Sequence, residues 1–275
     1  MLAISYMIHQ KYNILEQIGA GTFGTIHKAL NIRTNELVAI KIEPISSKLK
    51  LLVHETKMYN YLHDCKGIPV IKWFGKDALN YYMVINFLGP SLQDSLRHHT
   101  RFSLETTLQI GFKVILLLQT IHEKGIVHRD IKPDNFLFGR NPDESINDTL
   151  YLIDFGLCKS YLDKHHKHIP LKPISNIIGS KNFCSISCHR REELGRKDDL
   201  ESFAYMLLYL HTGQLPWMHD TLESAIVTKK EQASLHCPSP ISDIITIVQQ
   251  MDFYQAPNYD YLIQQLSSEL PNNNI

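Results

Sequence analysis

The 275-residue sequence has no excess of either charge, few cysteines and no long uninterrupted apolar run. Lysine plus arginine and aspartate plus glutamate both total 28, which argues against a general nucleic-acid or membrane-surface binder. The opening MLAISYMIH is short and lacks the charged flank of a signal peptide, and no apolar run reaches about 18 residues. We therefore expect neither secretion nor membrane spanning, but a soluble intracellular protein of the cytoplasm or the nucleus.

The cysteines are too few and too scattered for a disulfide framework. Their number is odd, and they lie at Cys65, Cys158, Cys184, Cys188 and Cys237. This pattern predicts reduced thiols in an intracellular protein. The Cys184/Cys188 pair has no second pair at a zinc spacing, and KHHKH at 164–168 has no acidic or cysteine ligand paired with it. The sequence therefore disfavours a metal site at either place.

The first third of the chain has the alternating pattern of strands. With 44% hydrophobic residues the chain can build a sizeable core, and residues 12–42 alternate in short runs that predict strand, turn, strand, turn, strand. From Ser46 to Leu62 the apolar spacing predicts a helix with Glu55 on its apolar face, where a carboxylate needs a buried partner. YYMVINFLG predicts a further strand, and the turn signal GPS after it is interpreted as a hinge between two lobes.

After the hinge the pattern becomes helical. Ser103 is the predicted N-cap of a helix that stops near Gly125, and residues 199–211 are apolar on nearly every side, which predicts a central core helix. The expected fold class is α+β, with a small β-rich N-lobe at about 12–86, a hinge at about 87–90 and a larger, mainly helical C-lobe at about 91–270. The two lobes together make one domain over residues 1–275.

GAGTFGTI at 19–26 is a glycine-rich loop of the form G-x-G-x-x-G. Glycine lets a backbone approach a phosphate closely, although the motif alone is a weak signal. A dinucleotide-binding fold would open a helix at the third glycine, whereas this sequence continues as a hairpin. The loop therefore favours a nucleotide site of another kind.

VAIK at 38–41 puts Lys41 in an otherwise apolar strand. Such a lysine can lie at a sheet edge and reach solvent. It can also pair with Glu55, which would hold it in position for the α- and β-phosphates of a nucleotide. The presence of Glu55 on an apolar helix face favours this second interpretation.

HRDIKPDNFLFG at 128–139 carries Asp130, Lys132 and Asn135, and YLIDFG at 151–156 carries Asp154 after an apolar strand. An Asp before glycine is often no more than a turn residue. The stretch between the two aspartates can form a hairpin that returns Asp154 beside Asp130, so that both carboxylates and Asn135 face one cleft. Oxygen ligands of this kind suit Mg²⁺ bound to nucleotide phosphates.

These four motifs occur in the order and spacing of eukaryotic protein kinases, and the chain resembles the casein kinase I family from about Tyr12 to Leu266. The family features are MVINFLGPSLQDSL, LIDFGLCKSY, KHIP, RKDDLES, LPW and SIS in place of A-P-E. The resemblance implies an ATP-dependent serine/threonine protein kinase that uses Mg²⁺, a monomer without nucleic-acid or membrane partners. Lys132, two residues after Asp130, is the serine/threonine form of the loop.

The resemblance also implies roles for individual residues. Asp130 would orient the substrate hydroxyl and accept its proton, and Lys132 would neutralise the transferred phosphoryl group. Asp199 would steady the stretch at 128–139, which is the catalytic loop. Asn135 and Asp154 would hold Mg²⁺. Ile85 would guard the back of the nucleotide pocket, and Phe87 and Leu88 would form the hinge that meets adenine. The full nucleotide-binding set would be Ile18, Gly19, Ala20, Gly21, Thr22, Phe23, Gly24, Ile26, Ala39, Lys41, Glu55, Ile85, Phe87, Leu88 and Leu137.

The chain departs from the family pattern in the segment that would bind substrates. Asn182 stands where the family has an arginine that helps to bind a phosphate, and Gln232 stands where another anion-binding lysine is expected beside TKK at 228–230. We therefore expect acidic or primed protein substrates, with a weakened preference for the primed ones. The five lysines between Cys158 and Lys181, against Asp163 alone, fit acidic substrates, although a solvated loop has the same composition.

The sequence leaves two other functions to weigh against an active kinase. A pseudokinase would bind ATP or partners without transferring phosphate, but Lys41, Asp130, Asn135 and Asp154 are all present. A small-molecule kinase of the same fold is disfavoured by SIS and RKDDLES. The chain ends soon after PNYDYL, so we expect a minimal kinase domain without a long regulatory tail.

Overall fold

The computed structural model describes residues 7–21, 24–141, 143–268 and 270, and the chain forms two compact units. The first unit contains the described residues up to Gly89 together with Leu137–Gly156. The second contains Pro90–Phe136 and the described residues from Leu157 onward. Thr22 and Phe23 of the predicted nucleotide-binding set lie outside the described residues.

The elements follow the predicted change from strands to helices. The strands are β1 (Met7–Ile8), β2 (Tyr12–Gly21), β3 (Gly24–Asn31), β4 (Glu36–Pro44), β5 (Ile71–Lys76), β6 (Asn80–Asn86), β7 (Ile126–Val127), β8 (Phe136–Arg140), β9 (Ile146–Leu152) and β10 (Lys159–Ser160). The helices are α1 (Leu51–Tyr61), α2 (Leu92–His99), α3 (Leu104–Glu123), α4 (Ile186–His189), α5 (Arg196–Thr212), α6 (Glu223–Glu231), α7 (Ile241–Gln249) and α8 (Tyr259–Ser267). The predicted α+β class is confirmed.

The first unit is built on a six-stranded antiparallel sheet in the order β1-β2-β3-β4-β6-β5. Side chains alternate between the two faces of a strand, so Val38 and Ile40 of β4 lie on one face and Ala39 and Lys41 on the other. Val38 and Ile40 are fully buried in an apolar cluster that includes Tyr12. Lys41 lies on the opposite face of the sheet, which is not part of this apolar cluster. The predicted strands across residues 12–42 are confirmed, whereas β5 was not predicted.

Helix α1 begins at Leu51, five residues after the predicted start at Ser46. Its first turn is capped from a distance, because the carboxylate of Glu43 accepts hydrogen bonds from the backbone N–H groups of Leu51 at 3.0 Å and Leu52 at 2.9 Å. The predicted inward face is confirmed, since Leu52, Glu55 and Tyr59 are buried.

The second unit is organised around α5, which is buried along nearly its whole length and packs against α3 and α7. Ser103 caps α3 as predicted, because its hydroxyl accepts a hydrogen bond from the Thr106 N–H at 3.0 Å. Among the described residues, α3 alone is long and apolar enough to cross a membrane. Its buried residues face α5 and α8, which is the pattern of a core helix.

Candidate active site

Lys41 lies at the centre of an ion cluster in the first unit. Its Nζ is 2.7 Å from Glu55 Oε2 and 2.9 Å from Asp154 Oδ1. Only 19% of the lysine side chain is exposed, so the reading of Lys41 as an edge-strand lysine in solvent is wrong. The expected partner of Glu55 is confirmed, and the same ammonium group also holds Asp154.

The charges in this cluster are strongly coupled. Burial opposes the charge of Lys41, but the attraction of Glu55 and Asp154 outweighs it, so the pKa of Lys41 is raised above its ordinary value. Burial raises the pKa of Glu55 to about 7, although Lys41 acts to lower it. Lys41 therefore keeps its charge at neutral pH, while Glu55 titrates close to neutrality.

Asp154 follows the predicted hairpin of β8 and β9. It has a positive φ of 66°, and its N–H donates a hydrogen bond to the Tyr59 hydroxyl at 3.1 Å. The Tyr59 ring packs edge-on against Phe155 with the ring centroids 5.2 Å apart. These contacts fix the backbone while 41% of the Asp154 side chain is exposed, so the carboxylate can meet a ligand from solvent.

The glycine-rich loop joins β2 to β3, with Gly19 opposite Ile26 and Gly21 opposite Gly24. Gly24 has a φ of 144°, and a Cβ atom there would lie 2.0 Å from the carbonyl oxygen of Ile42. Its lack of a side chain is therefore required by the close approach of β4. A Cβ on Gly21 would meet nothing within 4 Å, which leaves open space at the turn.

The strand register places several predicted nucleotide contacts on the Lys41 face of the sheet. Ile26 lies opposite Lys41, and Ala39 lies opposite Ile85. Partners opposite each other in an antiparallel pair share a face, and so do residues two apart on one strand. Ile26, Ala39, Lys41 and Ile85 therefore line one surface.

The remaining predicted nucleotide contacts of the first unit are Ile18, Ala20, Phe87, Leu88 and Leu137. Ile18 is 47% exposed, and Leu88 is buried. Two cations contact the Phe87 ring, with Lys28 Nζ at 5.1 Å and Arg140 Cζ at 4.9 Å from its centroid. Leu137 is in β8, and Ala20 is in β2.

Asp130, Lys132 and Asn135 form a second cluster, within the second unit. Asp130 Oδ1 accepts a hydrogen bond from the Ser180 N–H at 2.8 Å, and Asp130 Oδ2 lies 2.8 Å from Lys132 Nζ. Lys132 also donates to the Ser180 hydroxyl at 3.0 Å. Asn135 Nδ2 donates to the Asp130 carbonyl at 2.8 Å. The contact of Ser180 with Asp130 was not predicted, because the two residues lie 50 positions apart in the chain.

Asp199 holds this loop from the start of α5, as the family resemblance implied. Its Oδ2 accepts from the His128 N–H at 2.6 Å and lies 2.9 Å from His122 Nε2, while Oδ1 accepts from the Arg129 N–H at 2.8 Å. Burial opposes ionisation of Asp199, but the bonds and charges of the two histidines outweigh it and lower its pKa. The buried carboxylate therefore fixes the backbone just before Asp130.

Gly179 lets the following residue reach Asp130. Its φ is 79°, and a Cβ atom there would lie 2.3 Å from the Arg129 carbonyl oxygen. A side chain at this position would push Ser180 away from the Asp130 carboxylate. The glycine before Ser180 is thus part of the support of the site.

A cavity of about 560 Å³ opens beside Lys132 in the second unit. Arg97, Lys132 and Lys181 supply positive charge along its lining, against the single carboxylate of Asp134. Asn182 also lines it, and its backbone carbonyl accepts a hydrogen bond from Trp217 Nε1 at 2.8 Å. The lining therefore has more cations than carboxylates, although Asp94 at 2.9 Å partly neutralises Arg97 and Asp130 at 2.8 Å partly neutralises Lys132.

The TKK stretch at 228–230 is not a patch of exposed lysines, because its two lysines have partners within the chain. Lys229 Nζ lies 2.8 Å from Asp220 Oδ2, and Lys230 is fully buried. Lys230 Nζ donates to the Lys181 carbonyl at 3.1 Å and lies 3.1 Å from His189 Nε2, and burial lowers its pKa. Lys230 therefore ties α6 to the segment that carries Asn182.

The alternative metal sites gain no support. KHHKH forms a turn in which Asp163 Oδ1 accepts from the N–H groups of His165 at 2.8 Å and Lys167 at 3.0 Å. None of the five cysteines forms a disulfide. No group of three or more histidine, cysteine, aspartate or glutamate side chains within the described part of the chain could hold a metal ion by itself.

The family comparison covers both clusters. The model of the protein kinase domain family matches residues 12–272, which include Lys41, Asp130, Asn135 and Asp154. A match of this extent spans both units and all four sequence motifs. The chain therefore belongs to the protein kinase domain family.

Proposed function

We propose that this protein kinase is a serine/threonine kinase of casein kinase I type, which transfers the γ-phosphate of ATP to hydroxyls of acidic or primed proteins. The observation that carries the proposal is the placement of Lys132 against Asp130 and Ser180 in the catalytic loop. This lysine is the serine/threonine form of the loop. The casein kinase I assignment rests on the sequence features SIS, KHIP and RKDDLES.

The residues of the two clusters would have different roles in the reaction. Asp130 is held by Ser180 and Lys132, and it would orient the substrate hydroxyl and accept its proton. Lys132 lies close enough to Asp130 to neutralise charge on the transferred phosphoryl group. Lys41, fixed by Glu55, would neutralise the α- and β-phosphates.

Asp154 and Asn135, the two proposed metal ligands, each have an oxygen atom of the kind that Mg²⁺ accepts. Asp154 offers an exposed carboxylate, and Asn135 uses its amide nitrogen for the Asp130 carbonyl, so its amide oxygen is the atom it has for a cation. Carboxylate and amide oxygens, completed by waters and phosphates, are ligands that Mg²⁺ accepts. When bound, the metal would neutralise charge that develops on the nucleotide phosphates.

The basic cavity supports an acidic substrate, and Asn182 supports a weakened preference for a phosphorylated one. An arginine can bind a phosphate with two parallel charged hydrogen bonds, whereas an asparagine amide is neutral. We further propose a monomer that acts in the cytoplasm or the nucleus and binds neither nucleic acid nor membranes. The absence of disulfides among the five cysteines and the balanced charge support this proposal.

The experiment is incubation of the purified protein with Mg²⁺, labelled ATP and casein, followed by separation of the phosphorylated amino acids. We expect label on serine and threonine. Label on tyrosine would contradict the serine/threonine assignment. ATP binding without any transfer would show a pseudokinase instead.

A further inference from the structure

Glu193 is a buried carboxylate that has no part in the reaction outlined above. It is 1% exposed, and its Oε2 lies 2.8 Å from Lys159 Nζ and 3.7 Å from Lys172 Nζ. Both lysines belong to residues 157–187, which we call the activation segment. Its other oxygen, Oε1, is buried and accepts no hydrogen bond from the described residues. The charge of this carboxylate is therefore offset by cations of the activation segment.

Backbone hydrogen bonds run beside these ion pairs. The Glu193 N–H donates to the Lys172 carbonyl at 2.8 Å, and the Ile174 N–H donates to the Arg191 carbonyl at 2.8 Å. Glu193 thus joins the activation segment through both the side chain and the backbone of Lys172.

Lys159, the other cation, connects Glu193 to the strand that precedes the catalytic loop. Lys159 lies in β10, where it pairs with Val127 of β7. Strand β7 ends one residue before His128, and Arg129 and Asp130 follow. The ion pair between Glu193 and Lys159 therefore stabilises the pairing of β10 with β7. The catalytic loop follows directly after β7.

Arg129 brings a further positive charge to the same region. Its Nε donates to the Leu157 carbonyl, at the start of the activation segment, at 2.7 Å. Burial lowers the pKa of Arg129, and Glu193 is the strongest of the charges that oppose this lowering. Lys159 and Lys172 thus lie beside one carboxylate of the chain itself, and Arg129 is attracted to the same charge.

Activation loops of kinases are commonly ordered by phosphorylation, because the added phosphate pairs with basic side chains. From the contacts above we infer that Glu193 is a positioning residue, a built-in anion that orders the activation segment and sets Asp130 without an added phosphate. The inference rests on the proposed function only for its kinetic readout. The ordering of the segment can be measured without turnover.

The test compares Glu193→Gln, which keeps the shape but removes the charge, with Glu192→Gln as the neighbouring control. We expect Glu193→Gln to lower kcat on the order of tenfold and to leave KM for ATP within about twofold, because Asp130 is disturbed and the nucleotide contacts are not. We also expect faster amide hydrogen exchange across residues 157–187. Glu192→Gln should change neither quantity.

Lys172→Met provides a second variant in case Glu193→Gln does not fold, because 60% of the Lys172 side chain is exposed. It should lower kcat in the same direction, and the double variant should lose less than the two single losses combined, since both break one interaction. A kcat of Glu193→Gln within about twofold of the wild type would overturn the inference. If the wild type proves inactive, the proposed function fails, and hydrogen exchange of Glu193→Gln that matches Glu192→Gln would then overturn the inference separately.

Discussion

Lys41 holds two carboxylates of different character. Glu55 is buried, whereas 41% of the Asp154 side chain is exposed. We expect Asp154→Asn to lower kcat on the order of 10²-fold or more, because it removes a charge from the phosphate and metal contacts. Its unfolding temperature should stay close to that of the wild type. Near-normal turnover by the folded variant would contradict the role of Asp154.

Lys41→Ala should lose turnover to a similar extent and should also lose stability. It leaves Glu55 buried without its cation, and removal of one partner from a buried ion pair commonly costs about 3–5 kcal/mol. Part of this cost is relieved when Glu55 takes up a proton, since its pKa is already raised to about 7. Urea unfolding of both variants measures the difference, and equal stability of Lys41→Ala and Asp154→Asn would refute it.

Asn182 is expected to weaken the preference for primed substrates. Loss of a charged hydrogen bond to a phosphate costs about 1.5–3 kcal/mol, and Lys181, which lines the same cavity, can restore part of it. We expect Asn182→Arg to raise kcat/KM for a phosphorylated peptide over its unphosphorylated match, with less effect at high salt. A hundredfold preference in the wild type that the arginine does not increase would show that other residues bind the phosphate.

At the scale of residues, the sequence predicted pairs whose members lie in recognisable motifs. The partnership of Lys41 with Glu55 could be predicted, because a lysine in an apolar strand and a glutamate on an apolar helix face each need a partner. The contacts of Ser180 with Asp130 and the burial of Lys230 could not be predicted. Ser180 lies 50 positions after Asp130, and Lys230 lies 49 positions after Lys181. Local periodicity contains no information about contacts between residues so far apart in the chain.

The activation segment is the element through which we propose that Glu193 acts. We expect the recombinant kinase to be active without phosphorylation of this segment, because Lys159 and Lys172 already have an anionic partner in Glu193. Phosphatase treatment followed by an assay on casein is the measurement. Activity that disappears and returns only with an upstream kinase would contradict the expectation.

The bounds of the elements show what periodicity alone can predict. The strands within residues 12–42 and the core helix α5 follow from their apolar patterns. The start of α1 does not, because the cap comes from Glu43 and not from a residue next to the helix. Strand β5 has no long alternating run, and its register against β6 is interrupted between Ile71 and Trp73.

The free energy of unfolding of the whole molecule should depend on the protonation of Glu55. Its folded pKa of about 7 lies above the ordinary value of 4.5, so the folded protein binds the extra proton between these pH values. The contribution of Glu55 to the free energy of unfolding therefore falls as pH rises through this window. We expect the stability of the wild type relative to Glu55→Gln to be lower at about pH 8 than at about pH 5. A higher relative stability at pH 8 would show that attraction to Lys41 outweighs burial.

The organisation of the whole chain follows the sequence only in part. The change from strands to helices follows from the periodicity. The contacts of Leu137–Gly156 group it with the first unit, although it follows the catalytic loop in the chain. Alternation predicts that hairpin but contains no information about the sheet or helix against which it packs.

Phosphoryl transfer to a hydroxyl depends, in the proposed function, on Asp130, which would orient the hydroxyl and accept its proton. The most direct measurement is single-turnover transfer from labelled ATP to casein by Asp130→Asn, with Asp143→Asn, an exposed aspartate of the first unit, as the control. We expect Asp130→Asn to bind ATP normally and to lose transfer on the order of 10²-fold or more, while Asp143→Asn keeps wild-type transfer. Transfer by the folded Asp130→Asn variant at the rate of the wild type would contradict the account.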